Sequence, residues 1–99
     1  MAELNELIHQ PVRLRIMAAL TALEPGSKAD FTSLKKLLAL TDGNLGTHLL
    51  KLEEAGYLTQ EKTFVDRKPR TCLRVTPAGR KAFKAHVRAL SAILDNSEP

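Results

Sequence analysis

A single cysteine, Cys72, stands among 99 residues. One thiol closes no internal disulfide and by itself builds no thiolate zinc site, so neither a covalent nor a metal staple is expected. Stability has to come from packing and from self-association. No apolar run approaches the roughly 18 residues that a membrane-spanning helix needs. The start, Met1–Gln10, lacks the basic-then-apolar order of a secretory signal, and a cytoplasmic location is the expectation. A nucleophile paired with a base, a phosphate-cradling glycine loop and a carboxylate dyad are all missing, so no enzyme activity and no cofactor are expected. Internal repeats, low-complexity stretches and linkers are missing too. The 43% hydrophobic content at this length suffices for one compact core, which points to a single domain, 1–99.

Charge is unevenly placed. The net value is +4, yet residues 1–34 and 35–61 each sum to −1 and residues 89–99 to −2. Residues 62–88 carry nine Lys and Arg against Asp66 alone, a local charge of +8. A polyanion suits such a segment, because each phosphate neutralised by Lys or Arg releases condensed counterions. On charge alone, a solvated basic face that aids solubility is an equal alternative.

Apolar spacing supplies the elements. Leu4, Leu7 and Ile8 have the spacing of a short helix ending near His9 and Gln10. Pro11 then suits the first position of a new helix, whose stripe is Val12, Ile16, Ala19, Leu20 and Leu23, stopped by Pro25 and Gly26. Asp30 or Thr32 caps a following helix with Phe31, Leu34, Leu37 and Leu38 on one side. Beyond Gly56, the runs Tyr57–Val65 and Thr71–Val75 are rich in β-branched and aromatic residues, and Asp66–Arg70 reads as the turn of a hairpin with a cationic tip. Leu73 and Val75 alternate with Cys72 and Arg74, as in a sheet with one wet face. Thr76 caps a last helix with Pro77 first, and Phe83, Val87, Leu90 and Leu94 form its stripe. Ala82, Ala89 and Ile93 widen that apolar face beyond what one contact surface needs. The tail, Asn96–Pro99, is expected to fray.

The segment from 42 to 55 carries the functional argument. Thr41 or Asp42 can accept the free amides of its first turn, and Gly56 suits the left-handed residue that ends helices. Leu45, Leu49 and Leu52 fall on one seam, while Gly43, Asn44, Thr47 and Lys51 fall opposite, all small, polar or cationic. Leu50 does not suit an aqueous surface; the neighbouring wing or a thymine methyl would receive it. His48 lies between seam and polar face, where packing on the domain and contact with DNA are both open. Asn bonds bidentately to adenine, Lys reaches guanine or phosphate, and Thr offers a hydroxyl and a methyl. Gly43 and Gly46 bring backbone close to a duplex but weaken the helix by about 1 kcal/mol each relative to Ala. The order of helices, hairpin and long helix is mainly α with a small β-hairpin: a winged helix-turn-helix of three core helices, wing and long C-terminal helix. In such a pair the second helix reads base edges. Arg67, Lys68 and Arg70 at the wing reach phosphate or a minor groove, where Arg favours the enhanced negative potential. Lys35 and Lys36 fix register on phosphate.

Three stretches, His9–Ile16, Asn44–Leu58 and Arg74–Arg80, cover with correct spacing almost the whole chain and resemble the single-domain winged helix-turn-helix regulators of the MarR and ArsR types. The most specific part is His48-Leu49 followed by Leu52-Glu53, Ala55-Gly56-Tyr57-Leu58, a strand, and Thr76-Pro77-Ala78-Gly79. The resemblance implies a homodimer built from the terminal helices, with two recognition helices reading a near-palindromic double-stranded DNA site as a transcriptional regulator, a repressor by expectation. ArsR-type metal sensors carry cysteines on the recognition pair or a His and carboxylate cluster on the last helix, and neither is present here, so metal sensing is not implied. His9 and His86 are isolated in sequence and read as structural. Cys72 reads as a small, partly buried residue rather than a redox switch beside Arg74. A small-molecule effector lodged between dimer helices and reading heads is compatible with the chain but not indicated by any residue. The rival reading is a winged-helix protein-interaction module, in which Leu50 belongs to an interface and sequence-specific DNA binding is absent.

Overall fold

Pro11 lacks an N–H to leave unsatisfied, and it opens α1 (Pro11–Thr21), with the Gln10 side chain accepting from Arg13 N–H at 2.8 Å as N-cap. This is a computed structural model in which residues 3–95 are described; the expected fraying of Asn96–Pro99 lies outside them. Ile16, Met17 and Leu20 of α1 are buried. Asp30 rather than Thr32 caps α2 (Phe31–Leu38), accepting from Ser33 N–H at 3.0 Å. The next helix, α3 (Asp42–Glu54), is capped by the Thr41 hydroxyl, which accepts from Asn44 N–H at 3.1 Å. Between the two helices lie only Ala39 to Thr41, and Ala39 turns the chain with a left-handed φ of 55°. That is the tight turn of a helix-turn-helix, made here without glycine.

Gly56, at φ 81°, ends α3 as its composition suggested. The hairpin follows as β2 (Leu58–Val65) and β3 (Lys68–Val75), and α4 (Pro77–Asp95) closes the described chain. Thr76 is its cap: the hydroxyl accepts from Gly79 N–H at 3.0 Å and donates to Gly56 O at 2.6 Å. The sheet has one strand more than the hairpin. Ala29–Asp30 forms β1, which pairs antiparallel with β3, giving the order β1-β3-β2. Leu34, Leu38, Leu45, Leu49, Leu52, Leu58, Leu73 and Val75 join the α1 residues in one core.

Two expected elements take another form. Leu4–Ile8 is not a helix; residues 6–9 make a turn, closed by a helical-type bond from His9 N–H to Asn5 O at 2.8 Å. Its Ile8 is fully buried in the core, and Leu7 packs against that core. The turn of the hairpin is also shorter than the five residues read from sequence. Val65 pairs with Lys68, so only Asp66 and Arg67 lie in the loop, both at positive φ (52° and 65°), and Lys68 to Arg70 belong to β3. Two residues of positive φ match the right-handed twist of the flanking strands, normally with Asn-Gly.

Candidate nucleic-acid interface

The seam of α3 is as the spacing predicts: Leu45, Leu49 and Leu52 are fully buried. With that side fixed, Gly43, Asn44, Thr47, Leu50 and Lys51 are all exposed. Thr47 donates its hydroxyl back to Gly43 O at 2.9 Å, which leaves its methyl and a lone pair outward. A Cβ added at Gly43 or Gly46 would meet no atom within 4 Å. Among the described residues nothing therefore requires glycine at either position, although each weakens the helix. Leu50, half exposed, adds an apolar group to the same helix.

His48 is half-buried and faces inward to Arg13, whose Nη1 donates to His48 Nδ1 at 3.1 Å. Burial, then the Arg13 charge, then Lys51, lowers the pKa of His48 from its ordinary 6.5, which keeps the ring neutral and accepting. Lys35 leans across the helix-turn-helix turn to Asp42, with Nζ 2.7 Å from Oδ1, while Lys36 is exposed.

The wing is anchored at its root and bare at its tip. Gln60 donates from its backbone N–H and its Nε2 to the Glu53 carboxylate at 3.1 and 3.2 Å, which ties β2 to the last turn of α3. Thr76 N–H donates to Tyr57 O at 3.0 Å. The helix α3 and the wing are thus held at a set angle. Toward the tip, Arg67, Lys68 and Arg70 are exposed, with Arg70 Nε 3.4 Å from Asp30 Oδ1. Lys62 stands exposed on the facing strand.

Spacing in sequence gave no sign of what braces this unit from behind. His9 and His86 are not isolated: Nδ1 of His9 lies 3.4 Å from Nε2 of His86, and the rings meet edge to face. His86 is fully buried on α4, and its Nδ1 accepts from Asn5 N–H at 2.9 Å. That bond leaves the neutral Nε2–H tautomer facing His9, and burial first, then His9, lowers the His86 pKa from its ordinary 6.5. Asn5 also donates from Nδ2 to the Tyr57 hydroxyl at 2.9 Å, joining α4 to the wing root. Arg80 completes the brace by donating to Thr21 O and Leu23 O at 3.0 and 2.7 Å, satisfying carbonyls at the end of α1. Among the described residues no group of three or more His, Cys, Asp or Glu side chains is placed to hold a metal ion. None of the described helices is long and apolar enough to cross a membrane.

A helix-turn-helix whose second helix shows a polar outer side, joined rigidly to a cationic two-stranded wing, defines the winged helix class of DNA-binding domains. Residues 12–94 match the family described as winged helix DNA-binding domain, and the chain belongs to it. It is 37% identical over 93 residues to an uncharacterised protein of Methanocaldococcus jannaschii, covering 94% of this chain and 98% of that one. Among solved structures it is similar to a transcriptional regulator homologue from Pyrococcus horikoshii, with 35% identity, a TM-score of 0.86 and coverage of 96% and 91% of the two chains. The fold also matches MepR from Staphylococcus aureus at a TM-score of 0.73, with 15% identity over 92% of this chain and 64% of that one. The protein is a DNA-binding regulator of the winged helix family.

Proposed function

We propose that the chain binds a near-palindromic duplex as a homodimer and represses transcription by occupying it. In this reading α3 enters the major groove, where Asn44 and Thr47 read base edges and Lys51 reads guanine or phosphate. Arg67, Lys68 and Arg70 hold phosphate or the adjacent minor groove, and Lys36, with Lys35 beside it, fixes register on the backbone. His48 acts by orienting against Arg13 rather than as a principal reader. The observation that carries the reading is α3 itself, where Gly43 on the exposed side and half-buried Gly46 on its flank weaken a helix and no described neighbour needs them. The dimer is supported by α4, whose core-facing side is Gly79, His86 and Ala89: Val87 is 39% exposed on another side, and Ile93, one heptad after His86, is 52% exposed where the core-facing side runs on past Ala89. That division differs from the stripe read in sequence, where Val87 counted with the core positions.

Selection of bound sequences from random duplex DNA, with affinity followed at two salt concentrations, tests this. A motif of two half-sites about one helical turn apart, and steep loss of binding with salt, is the expected result. No enrichment and no salt-dependent binding favours the protein-interaction reading, for which exposed Leu50 is the supporting observation. The apolar cleft between α1 and α2, walled by Leu20, Leu23, Leu34 and Leu37, measures about 200 Å³, below the size of common ligand pockets, and the larger hollow of about 720 Å³ beside the wing is lined by charged groups that include Asp30, Lys62, Asp66, Lys68 and Arg70.

A further inference from the structure

The wing carries an aromatic ring that neither the fold nor the proposed base readers use. Phe64 is 75% exposed, whereas Phe31, Tyr57 and Phe83 pack against the core. Its register explains the exposure. Strands β2 and β3 pair from Leu58 with Val75 out to Val65 with Lys68. Leu58, Leu73 and Val75 bury the root, but the ribbon runs on past the body of the domain and its outer half is exposed. A two-residue turn makes Val65 and Lys68 a hydrogen-bonded pair, so Phe64 and Pro69 form the next, non-hydrogen-bonded pair. There the two side chains share one face at close range, and Pro69 needs no N–H toward β2. The other edge of β3 is open at Pro69, because β1 pairs only with Leu73 and Cys72. The ribbon tip is therefore narrow, unpaired on both edges and headed by an apolar pair. Around that pair stand Lys62, Arg67, Lys68 and Arg70, all exposed, against Asp66 in the turn and Asp30 beside Arg70, so the net positive surroundings suit a polyanion and not an apolar protein surface.

An apolar wedge within a cationic frame is the chemistry that opens a base step: the cations hold the phosphates on either side while the ring replaces part of the lost stacking. We propose that Phe64, backed by Pro69, enters the minor groove flanking the segment read by α3, partly unstacks one base step and bends the duplex. This rests on the DNA-binding reading above. It adds a contact that responds to deformability, so pyrimidine–purine steps are favoured at that flank, which no side chain reads by hydrogen bonds.

The test uses the full chain and the duplex enriched by selection, with 2-aminopurine placed at successive flank positions and donor and acceptor dyes at the two ends. Expected for the native protein is a rise in 2-aminopurine fluorescence at one step per half-site, together with shortened end-to-end distance. Phe64→Ala abolishes both and weakens binding about tenfold, within the range for one aromatic–base contact, while the preferred bases under α3 and the melting temperature stay as they were. Phe64→Leu, which keeps an apolar wedge, retains most of the bend. Native protein that binds the enriched duplex tightly with no fluorescence rise and no bend overturns the wedge and leaves the DNA-binding reading standing. Failure of native protein to bind any duplex overturns both. Loss of dimer with Phe64→Ala in sedimentation, the bend being unchanged, assigns Phe64 to a protein contact and also overturns the wedge.

Discussion

Gly79 and the pair Gly43 and Gly46 all sit in helices, and they answer to different demands. A Cβ on Gly79 would collide with the backbone carbonyl of Tyr57, so that glycine lets the first turn of α4 close against the root of the wing. On α3 a Cβ would meet open space at both glycines. The same residue type serves internal packing behind the domain and is unexplained by packing on α3. The contrast extends further. Behind the domain, Asn5, His86, Tyr57, Thr76 and Arg80 form a connected set of hydrogen bonds. On the α3 and wing side stand the positive φ values of Asp66 and Arg67 and the exposed Leu50 and Phe64. Apart from Arg80 Nε, buried in the brace without a hydrogen-bond partner, these features that cost stability gather where a partner would supply the missing contacts, as expected of a binding side.

The contrast breaks most sharply at Gly79. Gly79→Ala places a methyl into backbone, and unfolding in urea should show a loss of about 3 kcal/mol, the upper part of the range for overpacking. A loss under about 0.5 kcal/mol, the level of an inert surface change, would mean that α4 can shift and that the brace is not rigid. Next come the readers. Asn44→Ala or Thr47→Ala should cost about 1–3 kcal/mol on the preferred sequence and little on random duplex. Arg67→Ala should weaken both nearly alike and reduce the salt slope by about 1. Equal losses on both duplexes for Asn44→Ala would show that the outer side of α3 does not read bases.

Gly46→Ala should act with opposite signs on the two properties. With no clash to make, it raises stability by about 1 kcal/mol, while the added methyl stands between helix and duplex and lowers affinity. Thermal melting and DNA titration on the same preparation read both. If affinity were unchanged, glycine there would have no binding role, and the contrast with Gly79 would lose its functional half.

Local periodicity was the legible part. The seam Leu45, Leu49 and Leu52, the caps Thr41 and Thr76, Pro11 at a helix start and left-handed Gly56 are each decided within one or two turns of chain, and the structure has them as the spacing implies. What escaped depends on distance. Strand β1 is two residues long and exists only by pairing with Leu73 and Cys72. The His9 and His86 contact joins positions 77 apart. Leu4, Leu7 and Ile8 mimic a helix because one turn suffices to place Ile8 in the core, and Pro11 then restarts the chain. The turn at Asp66-Arg67 carries no Asn-Gly signal, so its length was set by strand pairing rather than by turn chemistry. For the candidate interface, residue type was readable but orientation was not: only the structure turns His48 to Arg13 and Lys35 to Asp42.

Two histidines give the finest measure of the contrast, because one lies in the brace and one on α3. Both have pKa values lowered below 6.5, chiefly by burial. The unfolded chain then binds protons at a higher pH than the fold does. Stability from keeping the rings neutral is complete above about pH 6.5 and is lost as pH falls through the folded values. His86 is fully buried between Asn5 and His9, and His48 is only half-buried beside Arg13 and Lys51. His86→Gln should therefore flatten the fall of melting temperature between pH 7.5 and 5.5 more than His48→Gln does, whatever each substitution costs at neutral pH. The reverse order would place the larger proton-linked penalty on α3. Acid would then loosen α3 before the brace, and the back of the domain would not be its more tightly determined side.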